Sequence, residues 1–196
     1  MEQELNILEN NRLDKLNKLK EKGINPFSND FKKKENIKNI IEQFGGNDKD
    51  FFESNRAEVE TAGRIIIIRS FGKAAFFRIR DGFGEIQCYI QKNGIPENDF
   101  ELFKEYIDSG DICGIKGHLF RTKTDELTIK VESIHILTKS LLSLPEKWHG
   151  LKDIEVRFRK RYVDLIASQE VREIFKKRAE TIIFLKGGLK FNFSVP

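Results

Sequence analysis

The sequence predicts a mainly β chain with helical flanks, in which one small five-stranded barrel carries the fold. Three observations predict it. From Val59 to about Lys139, β-branched runs and strict alternation replace the helical spacing of the amino terminus. Asp81-Gly82-Phe83-Gly84 joins two of the alternating runs, and Asp-Gly is a favoured hairpin turn. Phe100, Phe103, Tyr106 and Ile107 then recur at helical spacing between the third and fourth runs. Strand, strand, strand, helix, strand, strand within about eighty residues is the β-β-β-α-β-β order of an OB-fold Greek-key barrel, a fold whose open face and loops hold oligonucleotides. An SH3-like barrel is the structural rival, but the helix before strand four favours the OB order.

The elements follow in turn. Over residues 2–22, Leu5, Leu8, Leu13, Leu16 and Leu19 are spaced by three to five positions among charged residues, which predicts an amphipathic amino-terminal helix ended by Gly23 and Pro26. Residues 25–53, with the run Lys32-Lys33-Lys34 and the apolar set Ile37, Ile40, Ile41 and Phe44, predict an extended linker and one short helix. The lysine run reads more simply as a solvated surface than as a dedicated phosphate contact. The five strands are expected at 58–69, 75–80, 85–91, 111–121 and 126–137, with the helix at 99–108. Domain boundaries fall accordingly at 1–57 for the helical extension and linker, 58–140 for the barrel, and 141–196 for carboxy-terminal connector helices and the start of a further domain.

Composition narrows the class. A length of 196 residues allows one large domain or two small ones. No apolar run is long enough for a membrane span. The first twenty residues lack the basic start, apolar centre and small-residue cleavage site of a signal peptide, so a cytoplasmic location is expected. Cys88 and Cys113 stand far apart without a CxxC spacing, which argues against a disulfide scaffold and a structural zinc site. His118, His135 and His149 are too dispersed to predict a metal site, and no phosphate-binding GxxxxGK[ST] or HExxH motif occurs. The net charge is only +4, but 64–80 carries Arg64, Arg69, Lys73, Arg78 and Arg80 with no acid, interleaved with Phe71, Phe76 and Phe77. Basic residues with aromatics between them are the pattern of a nucleic-acid surface.

Alternation sorts the hairpin into two faces. Ala75, Phe77, Ile79, Ile86, Cys88 and Ile90 turn inward, leaving Phe76, Arg78, Arg80, Gln87 and Tyr89 outward. A ring, a cation, an amide and a phenol on one open face are groups that stack on and read an unpaired base. The competing account is that Phe76 is covered by the amino-terminal helix or by another layer of the chain. On strand five, Glu126, Thr128 and Lys130 point opposite to Leu127, Ile129 and Val131. For Glu126 taken alone, an ordinary solvent-facing carboxylate is the simpler reading.

The stretches AGRIIIIRSFGKAAFFRIRDGFGEIQCYI at 62–90, GDICGIKGHLFRTKTDELTIKVESIHILTKSLLSLPEKWHGLKDIEVRFRKRYVDLI at 110–166, and NRLDKLNKLKEKGINPF near the amino terminus resemble the amino-terminal half of bacterial class II lysyl-tRNA synthetases. The resemblance runs from about Asn11 to Arg178. It implies that the barrel binds the anticodon UUU of a lysine tRNA, with Phe76 stacking on the central uridine and Gln87 reading its edge. It also implies an anticodon contact for Glu126 and a basic position near the anticodon for Arg69; Arg78 joins them from the face-by-face reading. By the same resemblance, 148–166 would be the connector to a catalytic domain, with Lys152, Arg157, Arg159, Lys160 and Arg161 near Asp153, Glu155 and Asp164. A salt-bridged, solvent-exposed helix is the simpler reading of those charges.

After Arg178 the resemblance stops: the tail AETIIFLKGGLKFNFSVP lacks the expected first class II motif, and Gly187-Gly188 is expected to interrupt the helix. A shifted reading frame, a premature end or a fragment boundary would each produce such a tail. The second and third class II motifs are also absent. No catalytic residue and no cofactor is therefore expected for this chain, ATP and magnesium being implied for the full-length enzyme. The expected act is tRNA binding without catalysis, with a generic single-strand-binding OB module as the alternative. A homodimer is implied for the full-length enzyme, with neither DNA nor membrane as partner.

Overall fold

The computed structural model describes residues 2–142, 144 and 154–191. Contacts divide the chain into two compact units, 1–143 and 144–196. The first contains α1 (Glu2–Glu21), α2 (Ile37–Phe44), α3 (Lys49–Ser54), β1 (Glu58–Phe71), β2 (Ala74–Arg80), β3 (Glu85–Gln91), α4 (Glu97–Glu101), β4 (Ile112–Arg121) and β5 (Leu127–Thr138). The strands close into a barrel in the order β1-β2-β3-β5-β4. Only β3 and β5 pair in parallel; the other pairs are antiparallel. This is the five-stranded OB-fold read from the strand pattern, and each predicted strand lies within two residues of its observed limits.

Strand alternation builds the core. Ala75, Phe77 and Ile79 from β2 and Ile86, Cys88 and Ile90 from β3 are buried, with Ile115, Leu119, Ile129, Val131 and Ile134 opposite them. Burying such side chains contributes about 1.5–3 kcal/mol each for the larger aliphatic and aromatic ones. Both cysteines are free and buried, and burial pushes both thiols well above their ordinary pKa, which makes them inert core residues.

Three local expectations are corrected. Residues 25–53 hold two short helices rather than one. The second, α3, starts where Asp48 accepts a hydrogen bond from the Phe51 amide at 2.9 Å, an N-cap that the linker reading passed over. The segment after β3 is also not one helix: α4 gives way to a π-helical turn at Leu102–Tyr106, which sends Phe103 into the core against Phe77, 5.0 Å between centroids. Finally, Gly187-Gly188 does not interrupt the last helix, α7, which runs Gln169–Phe191. A glycine raises the cost of helix by about 1 kcal/mol but, unlike proline, keeps its amide and clashes with nothing.

A buried ionic cluster ties α1 to the barrel. The Lys139 ammonium, with no exposed side-chain surface, donates to Asp108 at 2.6 Å, to Asp111 at 2.8 Å and to the Tyr106 carbonyl at 2.7 Å. From α1, Lys15 reaches Asp108 at 2.6 Å, and Arg12 donates to the carbonyls of Ser109, Ser140 and Leu142. Leu16 and Leu19 are buried on the same helix, whereas Leu8 and Leu13 remain exposed.

The second unit holds α5 (Ile154–Arg159), α6 (Arg161–Ala167) and α7. Arg157 and Arg161 both pair with the buried carboxylate of Asp164, at 3.2 and 3.0 Å, and Arg159 pairs with Glu155 at 2.7 Å. Arg157, Arg159, Arg161, Glu155 and Asp164 are therefore salt-bridged, as the simpler reading expects, but around a buried rather than an exposed Asp164. Residues 148–153, including Lys152 and Asp153 of the expected connector, and 192–196 lie outside the described residues.

Candidate nucleic-acid interface

The outward face of the β2–β3 hairpin is one wall of an open cavity of about 670 Å³. Its position follows from the turn. Asp81 Oδ1 accepts from the amides of Phe83 and Gly84 at 2.8 and 2.9 Å, and Asp81 Oδ2 accepts from the Ile37 amide at 3.0 Å, fixing the hairpin against α2. The opposite wall is the β4–β5 loop. There the Arg121 guanidinium donates to the carbonyls of Gly45, Asn47 and Asp125, which pins the loop to the α2–α3 segment.

All five residues selected from the sequence line this one cavity: Arg69, Phe76, Arg78, Gln87 and Glu126. Register explains the convergence. Arg69 stands opposite Phe76, Phe76 opposite Tyr89, Arg78 opposite Gln87, and Gln87 opposite Thr128. Neighbouring outward positions on adjacent strands are brought within side-chain reach by this pairing.

Phe76 is half-buried, and what flanks its ring is other aromatics of the same face, so the amino-terminal helix is not its cover. Its ring lies 4.8 Å from Tyr89 at 43° and 6.5 Å from Phe71 at 75°. Tyr89 in turn meets Phe120 at 6.1 Å. The row Phe71, Phe76, Tyr89, Phe120 thus crosses β1, β2, β3 and β4. Phe71 and Phe120 were missed as lining residues because a strand reading assigns faces one strand at a time. The outward position of Phe120 becomes meaningful only once β4 closes the barrel.

Charge on this surface is organised in two ways. Arg78 and Glu126 form an ion pair across the cavity, each about one-third exposed. The side chains of Arg69 and Lys123, by contrast, are exposed and have no hydrogen-bond or ion-pair partner among the described residues. A carboxylate on a basic surface is thereby neutralised internally, while two cations stay available to an anion. Gln87 Nε2 donates to Thr128 Oγ1 at 3.0 Å, and that hydroxyl donates to the Glu126 carbonyl at 3.1 Å. Thr128, expected on the outward face, is fully buried because the parallel pairing of β3 with β5 covers it.

The surface can therefore stack flat rings, attract phosphates and offer an oriented amide to a base edge. No group of three or more His, Cys, Asp or Glu side chains suited to a metal ion occurs among the described residues. No helix among them is long and apolar enough to cross a membrane.

Comparison with known proteins agrees with this geometry. Residues 59–137 match the tRNA_anti-codon family, described as an OB-fold nucleic acid binding domain. Lysine--tRNA ligase of Methanoculleus marisnigri is 44% identical over 89% of this chain and 34% of its own length. Lysine--tRNA ligase 2 of Methanosarcina mazei is 45% identical over 89% of this chain and 33% of its own. Lysine--tRNA ligase of Thioalkalivibrio sulfidiphilus is 45% identical over 89% and 35%. The chain spans about a third of the length of these relatives. Over most of its length the chain is thus similar to a third of these lysine--tRNA ligases, and its barrel matches the model of an OB-fold nucleic acid binding domain.

Proposed function

We propose that this chain binds the anticodon arm of a lysine tRNA, with the loop bases splayed over the β2–β3 face. The observation that carries the reading is the aromatic row through Phe76 and Tyr89, set beside an oriented amide and two uncommitted cations in one open cavity. On this reading Phe76 stacks on the central base, Gln87 meets its edge, Arg69 attracts the adjacent phosphates, and the Arg78–Glu126 pair lies beside a flanking base. Stacking supplies sequence-tolerant affinity of about 1–3 kcal/mol per base, and discrimination comes from the polar edges.

The reaction belongs to the ligase as a whole. There lysine and ATP form lysyl-adenylate, and a terminal ribose hydroxyl of the tRNA attacks it, with ATP and magnesium held by class II motifs that these 196 residues do not contain. No step of that chemistry is assigned to a residue of this chain, whose contribution is selecting the tRNA.

Competition binding tests the proposal. A labelled stem-loop with a UUU anticodon is displaced from the chain by unlabelled UUU loop and much less by a loop of scrambled sequence. Equal displacement by both makes the barrel a generic single-strand binder and overturns the anticodon reading.

A further inference from the structure

We infer that Thr128, a buried threonine on β5, sets the hydrogen-bonding polarity of the cavity and so decides which bases it accepts. The inference rests on the anticodon reading above, in which Gln87 faces the edge of a stacked base.

The argument begins with proton bookkeeping in one relay. A threonine hydroxyl has one proton to donate and lone pairs with which to accept. Here the Thr128 hydroxyl donates to the Glu126 carbonyl at 3.1 Å, so toward Gln87 it can only accept. Gln87 must then turn its Nε2 toward Thr128, and it does, at 3.0 Å. With one Nε2 proton committed to Thr128, the amide's orientation is fixed. Its Oε1 is left as an acceptor on the cavity side, with the second Nε2 proton beside it. Thr128 is fully buried and sits opposite Gln87 in the parallel β3–β5 pairing, so backbone register holds the relay in place.

An anchored acceptor selects among bases by elementary edge chemistry. Uracil presents an N3–H donor at the middle of its pairing edge. Cytosine presents a bare N3 acceptor there, which would place two lone pairs face to face. A free amide would meet cytosine by rotating half a turn and offering Nε2. With Nε2 held by Thr128 that rotation costs a hydrogen bond, and with the base held in a stack on Phe76 the edge cannot slide to a new partner. Leaving a polar group unpaired in a site built to satisfy it is the stronger source of discrimination between near-isosteric ligands. Thr128 touches no base itself; it is a positioning residue acting through Gln87.

The test uses the full chain and stem-loops that differ only at the central anticodon base, uracil or cytosine. The unmodified chain should prefer the uracil loop. Thr128→Val keeps the shape of the side chain and removes the hydroxyl; the Glu126 carbonyl keeps its other donor, the Thr122 amide at 3.1 Å. This variant should keep the unfolding midpoint and lose about tenfold in the uracil-to-cytosine affinity ratio, as expected for one hydrogen bond. The loss should come mainly from tighter cytosine binding. Thr128→Ser, which restores the hydroxyl, should recover the ratio. A Thr128→Val chain with an unchanged ratio, or a Thr128→Ser chain that fails to recover it while folded, overturns the inference and leaves the anticodon reading standing. An unmodified chain that binds neither loop overturns the anticodon reading itself, and this inference with it.

Discussion

On the proposed anticodon reading, Phe76 and Glu126 are the two residues whose substitution is most telling. Phe76 was legible because an aromatic on the outward face of a basic strand has no core to fill. Its ring contacts with Tyr89 and Phe71 hold it at the cavity edge. Replacing Phe76 by Ala should weaken binding of the anticodon stem-loop by about 1–3 kcal/mol, read as a shift in Kd with the unfolding midpoint unchanged. Glu126 was not legible from its residue type, because a lone acid at a strand end is ordinary; its pairing with Arg78 across the cavity gives it a place. Glu126→Gln should free the Arg78 guanidinium for phosphate. The plot of log affinity against log salt should then steepen by roughly 0.7, the increment for one added contact to a single strand. An unchanged slope would mean that Arg78 never faces the RNA.

At the scale of elements, the cluster joining α1 to the barrel makes the sharpest prediction. Lys139 and Asp111 are wholly buried, so removing one charge strands the other away from water. Lys139→Met should cost about 3–5 kcal/mol, measured as a fall in the urea midpoint. Burial pushes the Asp108 carboxyl up, but hydrogen bonds from Lys139 and Lys15 outweigh it and leave the pKa below the ordinary 3.8. A carboxyl depressed in the folded state stabilises the fold above its unfolded pKa, and that contribution fades as pH falls through the folded value. Acid unfolding below about pH 4 should accordingly be less steep in Asp108→Asn than in the unmodified chain, followed by circular dichroism. None of this was visible in the sequence of α1, whose leucine spacing announced a helix but not its partners. Arg12 and Lys15 lie more than ninety positions from the groups they contact.

For the whole molecule, every residue lining the cavity lies in the unit formed by 1–143. A chain of those residues should therefore bind the anticodon stem-loop as tightly as the full chain, by fluorescence anisotropy; a large loss would show that 144–196 contributes to the site. The shorter chain should also stay monodisperse at higher concentration by light scattering, since Ile183, Phe184 and Leu185 of α7 are more than half exposed. The sequence by itself determined a five-stranded barrel, the order of its elements along the chain and the outward positions of Phe76 and Gln87. Side-chain alternation and turn chemistry are local properties that survive in one dimension. Only the tertiary structure decided that Phe71, Phe120 and Lys123 share that face, that Arg78 neutralises Glu126, and that Thr128 orients Gln87. Each of those depends on barrel closure, which pairs β3 with β5 in parallel and brings together strands some forty residues apart; no spacing rule along the chain encodes such a meeting.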